Sequence, residues 1–256
     1  MNQVRSIIFY IGYVVLIALM SAIVVPCCCL LPVKMRFRYL NVYNHAIMVW
    51  LRITCGIRIE VEGGENLPER ACVILANHQS EWETLYLQLL KPPTCTVLKK
   101  ELLKIPVFGW GLRLIRPIPL DRSQPSKALK SLMTEGTERL KSGFSVLLFP
   151  QGTRVPPGHS KPFSKSGIML AQRADADIIP VAHNSGESWL SGSWVKKPGT
   201  IRIVIGAPVP TSGRNAKEVH AEVEQWIEDR LAEISDVPRP VKDESSASAG
   251  QQASNT

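Results

Sequence analysis

Nineteen consecutive residues, Ile7 to Val25, carry no charge. Wound as a helix, a run of that length rises about 28 Å, close to the thickness of a bilayer's hydrocarbon layer. Leu30 and Leu31 extend the apolar stretch past Pro26, so a membrane-crossing helix is expected over about residues 7–31. A cleaved signal peptide is the competing reading. The run is long for the apolar part of such a peptide, no A-x-A site follows it, and Pro26 stands where a lipid-modified Cys27 would need a small residue. Lys34, Arg36 and Arg38 follow the run and Arg5 precedes it, and this bias puts the bulk of the chain on the cytoplasmic side. A second stretch, about 39–56, mixes apolar residues with Asn41, Asn44, His45 and Arg52. Its Tyr43 and Trp50 suit the membrane interface, so a helix lying on the surface is expected. A hairpin of both stretches dipping into one leaflet would show the same hydropathy. Residues 1–56 are read as a membrane anchor.

Beyond the anchor the chain alternates. Short β-rich runs at Ile57–Val61, Cys72–Ala76, Cys95–Leu98, Phe144–Phe149, Ile178–Ala182 and Ile201–Ile205 are separated by segments of helical period. Ala128, Leu129, Leu132, Met133, Gly136 and Leu140 recur at helical spacing, as do Val219, Val223, Trp226, Ile227 and Ile234. An α/β fold follows, a mixed and mostly parallel sheet covered by helices, in one domain over 57–235. Residues 236–256 are rich in Pro, Ser, Ala and Gln and are expected to be disordered.

The net charge of +8 favours anionic partners. No aromatic-basic RNA-binding pattern and no zinc-finger spacing occurs, so nucleic acid is not an expected partner. The six cysteines show neither C-x-x-C spacing nor a disulfide framework, which leaves them as small apolar residues of a reducing compartment, with no metal site expected.

The segment Ala-Cys-Val-Ile-Leu-Ala-Asn77-His78-Gln79-Ser80-Glu81-Trp82-Glu83-Thr84 reads as a buried strand that turns into a helix, and strand ends are where α/β sheets bind ligands. Ser80 and Glu83 fit a capping box, which starts the helix at Ser80 and leaves His78 in the turn before it. Inside one helix, His78 and Glu83 would lie about 140° apart and could not meet. From the turn, His78 can fold back so that a carboxylate holds one ring N–H while the other nitrogen faces a substrate hydroxyl. Glu81 is a second candidate for that carboxylate. Each residue also has a plainer reading, His78 as a surface-turn histidine and Glu83 as a helix cap.

N-H-Q-S-E-W-E-T resembles the first motif of the glycerolipid acyltransferases, the 1-acylglycerol-3-phosphate acyltransferases, usually written H-x-x-x-x-D, with Glu83 in place of Asp. Three further blocks follow in the family's order. Lys99-Lys100-Glu-Leu-Leu-Lys-Ile-Pro-Val-Phe-Gly-Trp-Gly with Ile118-Pro-Leu-Asp121-Arg122 is similar to the second. Phe149-Pro150-Gln151-Gly152-Thr153-Arg154 resembles F-P-E-G-T-R, with Gln151 keeping an amide where the family has a charge. Ile178-Ile-Pro180-Val-Ala-His183 resembles the last, and His183 itself reads as structural.

The resemblance implies that His78 is the general base on a glycerol hydroxyl that attacks an acyl thioester, with Glu83 orienting it. Lys100, Arg122, Gly152, Thr153 and Arg154 would bind the acceptor's phosphate, Arg through bidentate contacts. Backbone N–H groups near the Gly152 turn or the start of the Ser80 helix could hold the oxyanion. No cofactor is implied. The co-substrate would be acyl carrier protein or acyl-CoA, the acceptor lysophosphatidic acid, and the location the bacterial inner membrane, with the catalytic domain facing the cytoplasm. Glycerol 3-phosphate, another lysophospholipid or a lyso-aminolipid are the other acceptors; a lipid hydrolase and a membrane-tethered binding protein are the other classes.

Overall fold

The computed structural model describes residues 1–238 apart from Ser21, residues 23–25, Cys27, Cys29, Val107 and Arg122. The tail expected over 236–256 falls outside the described residues except for its first three.

Seven strands form one sheet: β1 (Ile57–Glu62), β2 (Val73–Ala76), β3 (Thr94–Lys99), β4 (Ile118–Leu120), β5 (Ser145–Leu148), β6 (Ile178–His183) and β7 (Gly199–Ile205). Their order is β1-β7-β6-β2-β5-β3-β4. Every pair is parallel except β6 with β7. Six strands lie where the β-rich apolar runs place them. The seventh, β4, hides in Ile118-Pro-Leu, three residues at an edge where Pro119 costs no internal ladder.

Two helical layers cover the sheet, because its buried central strands present apolar residues to both faces. On one face, Val73, Leu75, Val146, Leu148, Ile178 and Ala182 pack against α5 (Pro125–Lys141), α6 (Ser166–Ala174) and α8 (Ala216–Ile234). On the other, Ile74, Ala76, Leu147, Ile179 and Val181 meet α1 (Asn2–Leu19), α2 (Val33–Cys55) and α3 (Trp82–Leu90). The shorter α4 (Phe108–Leu114) and α7 (Ser185–Ser188) fill the connections.

The N-terminal helices are therefore a wall of the core as well as an apolar surface. Phe9, Ile47 and Leu51 are fully buried against the sheet, while Val4, Ile7, Ile8, Ile11, Val14, Val15 and Leu19 of α1 and Met35, Tyr39, Val42, Val49 and Ile53 of α2 face outward. The expected surface helix over 39–56 begins earlier, at Val33 after Pro32, and stops at Cys55 because Gly56 takes a left-handed φ of 70°. Trp50, expected at the interface, donates its indole N–H to the Phe9 carbonyl at 3.1 Å and ties the two helices together. Of the stretch expected to cross the membrane, α1 supplies the part up to Leu19, and much of the stretch beyond Met20 lies outside the described residues. Among the described residues, α1 is the one helix long and apolar enough to cross a membrane. Cys28, Cys55, Cys72 and Cys95 are buried.

Helix α6 crosses β2 closely. A Cβ on Gly167 would come within 2.5 Å of the Leu75 side chain, so Gly167→Val should destabilise the fold by about 1–3 kcal/mol through overpacking, seen as a lower thermal unfolding midpoint.

Candidate active site

The C-terminal ends of three neighbouring strands, β6, β2 and β5, converge on one place. β2 runs into Asn77-His78, β5 into Phe149-Pro150-Gln151, and β6 ends at His183 before the short helix bearing Ser185. The turns are laced together: the Val155 N–H donates to the His78 carbonyl at 2.7 Å, and the His78 N–H donates to Gln151 Oε1, also at 2.7 Å. Gln151 needs only its amide oxygen for this contact, and no charge.

His78 precedes the helix and folds back onto Glu83, with Nδ1 at 2.7 Å from Oε1. The helix begins by its backbone at Trp82, two residues after the expected Ser80. The capping geometry is nevertheless there, since the Ser80 N–H donates to Glu83 Oε1 at 2.8 Å and the Trp82 N–H to Ser80 Oγ at 3.1 Å. Glu83 does both jobs at once. Its Oε1 also accepts the Gln79 N–H at 2.7 Å, and Oε2 accepts the hydroxyls of Ser80 and, at 2.7 Å, Ser185.

Burial of Glu83 works against its charge, but the His183 and His78 imidazoles and the Ser80 hydroxyl outweigh it and lower its pKa to about 2. An ionised carboxylate only accepts, so the proton of the His78 pair sits on Nδ1 and leaves Nε2 a free lone pair. The ring is stacked on Phe149, centroids 4.3 Å apart and planes 18° off parallel, which fixes its tilt. The side chain keeps 11% exposure, enough for one edge to meet a substrate.

Behind this pair lies a second imidazole. His183 is fully buried, and its Nε2 lies 2.8 Å from the Asn77 carbonyl; a carbonyl cannot donate, so Nε2 carries the hydrogen. Asn77 answers with its amide, donating to the His183 carbonyl at 2.9 Å and accepting the His183 N–H at 3.0 Å. This clamp joins the end of β2 to the end of β6, so His183 is structural, as its sequence context suggested. Sequence reasoning missed Ser185 and Gln151 as holders of the pair and Asn77 as the other half of the clamp; the polar residues that follow each buried strand were the available signal.

Glu81, the other candidate for His78's carboxylate, points elsewhere: it pairs with Arg154 Nη1 at 2.9 Å and accepts the Trp189 indole N–H at 3.0 Å. Three of the N–H groups near the expected oxyanion site have acceptors already. The N–H groups of Gln79 and Ser80 go to Glu83, and that of Gly152 goes to the Phe149 carbonyl at 3.0 Å. Gly152 closes this turn at a φ of 69°, a conformation that favours glycine. Gly152, Thr153 and Arg154 stand exposed beside His78 on the same turn. Lys100 is exposed on the short 3₁₀ turn after β3; the Ser123 hydroxyl and N–H, with Lys100 adding to them, hold the Asp121 carboxyl below the usual value. Arg122 lies outside the described residues.

The Acyltransferase family model matches residues 58–184, a span that takes in His78, Glu83, Gln151 and His183. The 1-acyl-sn-glycerol-3-phosphate acyltransferase of Pseudomonas aeruginosa is 41% identical over 94% of this chain and 95% of its own length. The chain belongs to the 1-acyl-sn-glycerol-3-phosphate acyltransferase family. The human 1-acyl-sn-glycerol-3-phosphate acyltransferase beta is 31% identical, over 72% of this chain and 69% of its own. The crystal structure of the 1-acyl-sn-glycerophosphate acyltransferase PlsC from Thermotoga maritima superposes with a TM-score of 0.78 at 27% identity, covering 91% of this chain and 95% of that one. As a member of this family the chain is an enzyme, an acyltransferase, and the expected fold, a mixed and mostly parallel sheet with helices, is the one observed.

Two outcomes follow from the buried pair and the clamp. Glu83→Gln keeps the shape but removes the charge that fixes the His78 tautomer and one of the two acceptor oxygens, so kcat should fall on the order of 10³-fold and the unfolding midpoint should drop, because the ionised carboxylate contributes to stability. His183 is held below the ordinary imidazole value of 6.5, first by burial. The unfolded chain then takes up a proton before the folded one does, and stability falls with pH below 6.5, by up to about 1.4 kcal/mol per unit. Glu83, with its lowered pKa, adds stability that is complete above 4.5 and is lost only as pH falls towards about 2, so the two windows separate. His183→Gln should flatten the slope between pH 6.5 and 4.5 in denaturant titrations.

Proposed function

We propose that this acyltransferase moves a fatty acyl group from a thioester donor to the sn-2 hydroxyl of lysophosphatidic acid, giving phosphatidic acid. The observation that carries this reading is the His78–Glu83 pair beside the exposed Gly152-Thr153-Arg154 turn. His78 Nε2 takes the proton of the acceptor hydroxyl as its oxygen attacks the thioester carbonyl, and Glu83 stabilises the imidazolium that forms. Collapse of the tetrahedral intermediate breaks the carbon–sulfur bond, and His78 returns the proton to the leaving thiolate. No nucleophilic side chain and no cofactor takes part.

Arg154 offers a planar guanidinium to the acceptor's phosphate, and Thr153 a hydroxyl. Lys100 and Arg122 complete the phosphate-binding set in this reading. Among bacterial donors, acyl carrier protein and acyl-CoA both suit a chain of net charge +8. The outward apolar residues of α1 and α2 seat the enzyme in the cytoplasmic leaflet of the inner membrane, where a single-chain phospholipid already resides.

With purified protein, lysophosphatidic acid and either donor, His78→Ala should lower kcat by about 10³-fold or more, and Arg154→Ala should raise KM for the acceptor by about 10- to 100-fold. Phosphatidic acid formation that survives His78→Ala would overturn the mechanism. Product formed only with a different acceptor would keep the chemistry and change the substrate. Replacing Ile11 and Val15 of the outer face by Asp should move the protein from vesicle-bound to free in flotation, at about 2.5–3.5 kcal/mol for each charge inserted deeply.

A further inference from the structure

Arg154 does not stand alone beside His78. Its Nη1 meets Glu81 Oε1 at 2.9 Å and lies 3.5 Å from the Ser191 hydroxyl. Glu81 is held in turn, Oε2 by the Trp189 indole N–H at 3.0 Å and Oε1 by the Ser191 hydroxyl at 3.2 Å. Both contacts to Arg154 run through Nη1, which leaves the Nε–Nη2 edge of the fork turned away from Glu81, the edge a phosphate would take bidentately.

Trp189 is anchored on the N-terminal helix. Phe9 of α1 meets its indole edge-to-face, centroids 5.4 Å apart. The buried Lys196 ammonium lies 4.6 Å from the indole centroid and 5.2 Å from that of Tyr10 on α1. The Lys196 N–H donates to Ser6 Oγ, again on α1, at 2.8 Å. A continuous series of contacts thus runs from the membrane-facing helix through Trp189 and Glu81 to Arg154.

We propose that Glu81 and Trp189 are positioning residues for the acceptor site: docked α1 fixes Trp189, Trp189 fixes Glu81, and Glu81 presents Arg154 with its outer edge ready for the phosphate monoester of the acceptor lipid. The proposal rests on the reading that Arg154 binds that phosphate. An exposed arginine has many rotamers, and holding one in advance lowers the entropy lost on binding. The link acts on acceptor affinity alone, since neither residue touches His78 or Glu83.

The test measures both substrates' kinetics for Glu81→Gln, Trp189→Phe and Arg154→Ala, singly and combined. Trp189→Phe keeps a ring for Phe9 and Lys196 and deletes the N–H. Each of the first two should raise KM for lysophosphatidic acid about three- to fivefold, with kcat and donor KM within about twofold, the size of a partly exposed ion pair. In the Arg154→Ala background neither should change it further. Equal losses in kcat and donor KM, or effects that add to Arg154→Ala, would show a general structural role and overturn the link. Arg154→Ala that raises acceptor KM while Glu81→Gln does not would remove the link and leave the phosphate reading standing. Arg154→Ala without effect on acceptor KM would remove both.

Discussion

Glu83 carries a full negative charge into the interior, where desolvation of an unpaired carboxylate costs several kcal/mol. Five donors meet it: one imidazole, two backbone N–H groups and two hydroxyls. Four of them come from the turn His78–Ser80 itself, so the turn cannot change shape without stranding the charge. The fifth, Ser185, lies just past the end of β6, 102 residues further along the chain. A helix cap, a histidine partner and a tertiary crosslink are here the same carboxylate, and the demand that it stay ionised holds the His78–Ser80 turn in one conformation.

The sheet order supplies that turn with partners. β2 lies between β5 and β6, so the turn after β2 has neighbours on both sides. From the β5 side come Gln151, which holds the His78 N–H, and Phe149, which stacks on its ring. From the β6 side come Ser185 and the Asn77–His183 clamp. The connection from β6 to its antiparallel neighbour β7, which begins at Gly199, carries Trp189 and Lys196 over the same end of the sheet. Helix α1 closes on that connection. The apolar wall of α1 and the His78 turn are thereby joined at one end of the sheet.

Much of this was legible in the sequence, for identifiable reasons. Six strands declared themselves, β2, β5 and β6 as unbroken apolar runs of buried strands and β1 and β7 as alternating β-branched ones, and α5 and α8 because one amphipathic face packs on the sheet. The His78–Glu83 contact followed from helix geometry plus a capping signal, both local over six residues. What the sequence concealed is non-local or short. β4 has three residues and an internal proline. Glu81 could not be told from Glu83 by chemistry, and its turning towards Arg154 depends on a tryptophan 108 residues later. The oxyanion donors looked available because an N–H in a turn shows nothing of its acceptor; those of Gln79, Ser80 and Gly152 have acceptors already.

The N-terminal run shows most plainly where hydropathy stops being informative. Nineteen uncharged residues say that water is excluded on all sides of the helix, and two environments satisfy that condition together. Ser6 and Phe9 on one side of α1 are sealed by protein, while Ile7, Ile8, Ile11 and Val15 on the other face outward. A helix held by Trp50 through the Phe9 carbonyl, by Lys196 through Ser6 and by Trp189 through Phe9 is committed to the domain along one side. Whatever the outer side faces, the inner side holds α1 at a fixed distance from the His78 turn, and it is that constant offset, more than the mere presence of an apolar run, that the hydropathy could not reveal.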